Sequence, residues 1–173
     1  MANVTLTFAM SNAFVPSGAL WRYFDKTNDL GTAWRSNAFS DVMWSNGPAR
    51  LGFGGDGEVT KVASNKQWTT YFRRALYIPD PAFVQTFVGR LTRDDGAVLY
   101  LNGAEILRDP NLPAGLITNQ TPALASITGE TNWVALNLPP ATLTLCSRPA
   151  GTCSPPKSTS RCSPAAISVS ISS

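Results

Sequence analysis

The residues best suited to chemistry in this chain are carboxylates in turn-prone loops and the aromatic side chains between them. Asp94-Asp95-Gly96 sets two adjacent carboxylates just ahead of an apolar run. Such a pair at a strand-to-turn junction can chelate Ca²⁺ with backbone carbonyls and waters. It serves equally as a turn, with Asp accepting free backbone N–H groups and Gly supplying positive φ. Asp25, Asn28 and Asp29 form a second oxygen-rich loop, and Asp56 with Glu58 a third; both readings stand for each. Calcium is therefore the one cofactor to expect, at Asp25, Asp29, Asp56, Asp94 and Asp95. Glycoside hydrolysis asks for more, because its two carboxyls must face each other across a cleft and sequence adjacency does not provide that.

Trp21, Tyr23, Trp34 and Trp44 offer aromatic faces that could stack on the apolar faces of sugar rings, or could fill a core. Arg73 and Arg74 are consecutive on a strand-like stretch, so one points to each side. One of them is expected to approach the core and pair with an acid such as Asp94 or Asp95, or to contact an anion or a sugar hydroxyl. The candidate ligand-binding residues are thus Trp21, Tyr23, Trp44, Arg73 and Arg74. The chain has no histidine, which removes Ser-His-Asp and Cys-His nucleophiles and histidine metal sites. GFGGDGE (52–58) is Gly-rich, but no helix start or GK[ST] follows it. It reads as a loop whose glycines allow positive φ, not a phosphate cradle. No catalytic residue is expected.

The elements that must position these residues are short strands. QWTTYFRRALYI (67–78) is rich in aromatic and β-branched types, and Pro79 and Pro81 close it because proline cannot donate to a ladder. FVQTFVGRLT (83–92) places Phe83, Gln85, Phe87, Gly89 and Leu91 on one face. VLYLNGAEIL (98–107) is two apolar runs around Asn102-Gly103, the dipeptide that best tolerates the two positive φ angles of a type I′ hairpin. No window shows a helical period, apart from a single turn around Ser40–Trp44. Charged residues make up 14% of the chain and the net charge is +3. Its basic residues are scattered, so no nucleic-acid stripe is expected, and no apolar run reaches membrane-spanning length. Met1 to Ala19 shows neither a basic n-region nor a continuous h-region, so no signal peptide is read there. All three cysteines (Cys146, Cys153, Cys162) fall late and read as incidental thiols. Past Trp133 there is no aromatic residue and past Glu130 no acidic one. Residues 144–173 are dominated by Ser, Pro, Thr, Ala and Cys, a composition too poor in apolar area to offset its ordering entropy.

PSGALWRYFDKTNDLGTAWR (16–35), FSDVMWSNGPARLGFGGDGE (39–58), TTYFRRAL (69–76), LTRDDGAVLYLNGAEILR (91–108) and NLPAG (111–115) stand in an order that covers roughly residues 14–140. In these stretches the chain resembles a galactose-binding-like domain common in large bacterial surface and secreted proteins, where it often sits beside phosphoesterase, lamin-tail or spore-coat-kinase-like modules. The resemblance implies an all-β fold, a two-sheet antiparallel jelly-roll β-sandwich of about eight strands. It implies no particular ligand.

Members of that family end on strands resembling AGRNVLAAEIHQ and SSDISFDL, which this chain lacks. Read from the third base of each codon, Gly151–Ser160 permits Asn-Val-Leu-Ala-Ala-Glu-Ile-His-Gln, and Ile167–Ser172 permits Asp-Ile-Ser-Phe-Asp-Ile. The C-terminus therefore looks frameshifted from just upstream of about Leu145, against the alternative of a genuine Ser/Pro-rich linker. The coding DNA decides between them: a restored frame without an EIHQ-like strand refutes the slip.

The expected organisation is an N-terminal extension or first strand over 1–13, a sandwich over 14–143, and an irregular tail over 144–173. At best the tail adds a poor edge strand through Ile167, Val169 and Ile171. The expected function is a non-catalytic, carbohydrate-binding-like accessory module of a multidomain surface or secreted protein. Its partners would be a polysaccharide or glycan and the neighbouring domains of a longer exported chain, outside the cell or on its surface. The alternative is a structural or adhesive spacer with no small ligand.

Overall fold

The computed structural model describes residues 13–55, 57–64, 68–76, 87–128, 133–138 and 165–172. Its elements follow the strand signals. β1 is Leu20–Phe24, β2 Ser45–Pro48, β3 Leu51–Gly52, β4 Thr60–Lys61 and β5 Thr69–Leu76. β6 is Phe87–Leu91, β7 Gly96–Leu101, β8 Ala104–Arg108, β9 Val134–Leu138 and β10 Ala165–Ser172. Among the described residues the only helical element is a three-residue 3₁₀ turn, Ala33–Arg35. The molecule is all-β.

Six strands form one antiparallel sheet in the order β2-β1-β5-β10-β7-β8. β6 and β9 pair antiparallel as a second sheet, with Gly89 opposite Leu136. Two antiparallel sheets were expected; a third, two-residue pairing of β3 with β4 is present and is parallel. The hairpin is where the sequence places it. β7 and β8 are joined through Asn102 and Gly103 at φ 51° and 88°, the two left-handed residues of a I′ turn. The expected helical turn at Ser40–Trp44 is a single reverse turn, closed by Trp44 N–H on the Asp41 carbonyl at 3.0 Å.

The six-stranded sheet is covered on both faces, as the pleat of β7 shows. Val98 and Tyr100 join one cluster with Trp34, Trp44, Tyr71, Leu112 and Ile117. Leu99 and Leu101 join another with Leu76 and Leu136. Successive side chains of a strand alternate between faces, so β7, buried along its whole length, serves both. The second cluster lies between the sheet and β9. The first is roofed by loops that supply Trp34, Leu112 and Ile117. Gly96 lets the 109–117 loop descend, since a Cβ there would stand 2.7 Å from Leu112 Cγ. Each fully buried Val, Leu or aromatic side chain contributes about 1.5–3 kcal/mol, so both clusters are integral to the fold.

The C-terminal segment departs most from expectation. Residues 165–172 are neither irregular nor an edge strand. β10 pairs with β5 from Ala165 opposite Leu76 to Ser172 opposite Thr69, and with β7 from Ile167 opposite Leu101 to Ser172 opposite Gly96. The residues expected as extension or first strand (1–13, apart from Ala13), the early tail (144–164) and positions 83–86 lie outside the described residues.

Candidate functional site

The three acidic loops use their carboxylates to hold backbone. Asp95 Oδ1 accepts the Ile127 N–H at 2.6 Å, while Asn111 Nδ2 donates to the Asp95 carbonyl at 3.1 Å. Asp25 Oδ2 accepts the Ala63 N–H at 2.8 Å, and Asp29 Oδ1 closes an Asx turn on the Gly31 N–H at 3.1 Å. The Glu58 carboxylate caps Gly55 N–H at 3.2 Å in a loop where Gly54, Gly55 and Gly57 all have positive φ. Asp94 lies in the bend before β7; Asp56 is outside the described residues. Among the described residues no three of His, Cys, Asp and Glu gather as a metal would require.

Arg73 is 4% exposed on β5. Its Nε meets Asp41 Oδ2 at 3.0 Å, its Nη1 donates to the Trp34 carbonyl and its Nη2 to the Ser36 carbonyl at 3.1 Å. The partner expected for a core-facing arginine was Asp94 or Asp95; it is Asp41, on a segment far from both in sequence. Arg22, opposite Arg73 across β1 and β5, reaches the other oxygen of Asp41 at 3.4 Å. Together they pin the 32–44 loop onto the sheet. Arg74, on the opposite face, donates to the Leu20 carbonyl.

Trp44 is buried against Phe24 and Phe39, with ring centroids 5.6 Å apart in each pair, and Trp21 packs against the leucine cluster on the other face. Tyr23 is half-buried, opposite Phe72. The ligand candidates are therefore divided between the two faces of the six-stranded sheet and do not form one platform.

Under the loop roof, Tyr71 sits edge-on to Trp34 at 4.8 Å, and Arg35 lies over the Tyr100 ring at 4.1 Å. Burial, then the Asp29 carboxylate, pushes the Tyr71 phenol well above its ordinary value of 10.0; burial likewise raises Tyr100. A folded chain that keeps a proton its unfolded form releases above about pH 10 is most stable below that pH. Stability should fall as pH rises further, by up to about 1.4 kcal/mol per pH unit for each such tyrosine. Urea unfolding across alkaline pH, read beside phenolate absorbance, checks this. Ionisation of all four tyrosines in the folded chain without loss of stability would contradict it.

The exposed aromatic rings are elsewhere. Trp68 is 54% and Trp133 55% exposed. Trp133 immediately precedes β9, and the Arg90 guanidinium lies 4.3 Å from its ring centroid. Across the two strands Arg90 opposes Ala135 and Val88 opposes Asn137. Directly opposed residues share a face, and all four are exposed. The outer face of β6–β9 thus presents an indole, a guanidinium, an amide and two small apolar groups on one shallow surface. The sequence reading missed Trp133 and Arg90; the available signal was outward alternation at Trp133, Ala135 and Asn137.

No protein-family model matches the chain, and no curated protein does. Solved structures do. A Bacteroides uniformis β-glucuronidase 2, covalently bound to cyclophellitol-6-carboxylate aziridine, matches at a TM-score of 0.50 and 16% identity, over 92% of this chain and 14% of that one. A Bacteroides uniformis β-glucuronidase matches at 0.51 and 14% identity, again over 92% and 14%. At such identities the likeness is one of fold, and this chain spans about a seventh of those enzymes.

Proposed function

We propose that this chain is a non-catalytic β-sandwich module of a larger exported bacterial protein, of galactose-binding-like jelly-roll type, and that it holds glycan on the outer face of β6–β9. The observation that carries this reading is Trp133, half exposed, with Arg90 on its ring and Asn137 exposed four residues further along the same outer face. An aromatic face supplies apolar contact to a sugar ring, while guanidinium and amide donors reach its oxygens. Glycan-processing enzymes that contain this fold as a small part of a long chain support the accessory role. So does the use of the Asp25, Asp29, Glu58 and Asp95 carboxylates to hold backbone N–H groups. An extracellular or cell-surface place follows from the same reading.

Affinity electrophoresis through gels cast with a panel of polysaccharides tests it. Retardation by at least one polysaccharide is expected, and Trp133→Ala should weaken it about tenfold, or roughly 1.4 kcal/mol, while Trp68→Ala leaves it unchanged. Absence of retardation by every polysaccharide, or equal retardation of Trp133→Ala, would sink the reading. The second reading, a structural spacer, is favoured by the packing of Trp21, Trp34 and Trp44 into the two clusters, and a chain that no glycan retards would return to it.

A further inference from the structure

β10 is last in sequence and internal in the sheet. β5 and β7 each bond to it and not to each other. Without β10 the sheet separates into β2-β1-β5 and β7-β8, leaving two inner edges with their N–H and C=O groups open. β10 pairs over eight positions with β5 and six with β7, so the slot between them is a long template for one extended segment.

Twenty-six residues, 139–164, separate the end of β9 from the start of β10. Fully extended they reach up to about 85 Å, at about 3.3 Å per residue, against about 4.8 Å between neighbouring strands and about 10 Å between sheets. Covalent geometry therefore does not oblige a chain to fill its own slot. The inserting segment, AAISVSIS, has no charge and no proline, so every residue can donate to a ladder, and it lacks the Lys or Pro that natural edges use to refuse a partner. Seated in a second copy, it would make the same main-chain bonds in the same register as in its own.

We propose that the slot between β5 and β7 is a strand-acceptor site, which takes β10 from a second copy of this chain as well as from the same chain. Main-chain bonds supply the affinity of such strand addition and alternate side-chain positions its register. Two copies that exchange β10 reciprocally form a closed, two-fold symmetric pair, and the balance between closed monomer and exchanged pair follows concentration.

The register supplies the test. Ala166 stands opposite Ala75, and directly opposed strand residues have Cα atoms about 4.5–5.5 Å apart, within disulfide reach. In the 173-residue chain with Cys146, Cys153 and Cys162 changed to serine, one variant carries Ala75→Cys and another Ala166→Cys. The two are unfolded, mixed, refolded and oxidised with glutathione disulfide. A disulfide-linked heterodimer is expected, its share rising about tenfold for a tenfold rise in concentration while it remains the minor form. The double variant Ala75→Cys/Ala166→Cys in one chain should close internally. Internal closure with no linked heterodimer at any concentration overturns the exchange. Failure of the double variant to close overturns the slot itself.

Discussion

Replacing Arg73 by methionine should cost about 3–5 kcal/mol of stability, the range for removing one partner of a buried ion pair. Methionine keeps much of the volume, so the loss reports polar groups. The Asp41 carboxylate would retain only Arg22, whose side chain is 39% exposed against 5% for Arg73, and the Trp34 and Ser36 carbonyls would lose a charged donor. An unsatisfied buried acceptor alone costs about 1–3 kcal/mol. Arg73→Lys should recover only part of this, because an ammonium cannot span three acceptors as the planar fork does. Arg74→Met, on the other face, should cost less than about 1 kcal/mol. Urea unfolding of the three variants measures this; a loss below about 1 kcal/mol for Arg73→Met would mean that the brace does not hold the loop.

Val169→Pro should be comparably damaging. Val169 lies mid-strand, opposite Phe72 on one side and Leu99 on the other. Proline there removes a ladder donor from an inner strand, a position that sheets reserve for other residues. Loss of one ladder bond with its carbonyl left unmet, together with the ring's clash against the neighbouring strand, should cost at least about 2–4 kcal/mol. That is a large part of the roughly 5–15 kcal/mol available to a domain. If the C-terminal segment were an irregular tail, the same change would cost under about 0.5 kcal/mol. Thermal and urea unfolding of this one variant separate the two.

Those two substitutions mark where sequence reading stops. The Asn102-Gly103 hairpin, β5 and the positive-φ glycines of 54–57 are legible because they depend on neighbouring residues alone. The partner of Arg73 depends on which loop the fold lays over β5, so the acidic pair nearest in character, Asp94-Asp95, attracts the inference while Asp41 takes the contact. The tail shows how composition misleads. Ser and Pro enrichment over 144–173 describes the whole stretch, but a strand needs only the eight residues with period-2 alternation that end it. Ile167, Val169 and Ile171 alternate with serine, and the shifted frame's Asp-Ile-Ser-Phe-Asp-Ile alternates as well. Both frames therefore keep an apolar residue at every second position of the segment. The candidate site was the least legible part. Aromatic clustering in sequence leads to Trp21, Tyr23 and Trp44, which pack on or within the six-stranded sheet. Trp133, isolated at the end of the aromatic region, faces outward because its strand happens to be the outer layer.

Backbone amide hydrogen exchange over residues 165–172 tests the architecture most directly. An inner strand bonded on both sides should exchange only with global opening, so β10 should be protected to the same degree as β5 and β7. Exchange of Ile167 to Ile171 at the rate of an unstructured peptide, with β5 and β7 still protected, would contradict the placement of β10 and remove the acceptor slot with it.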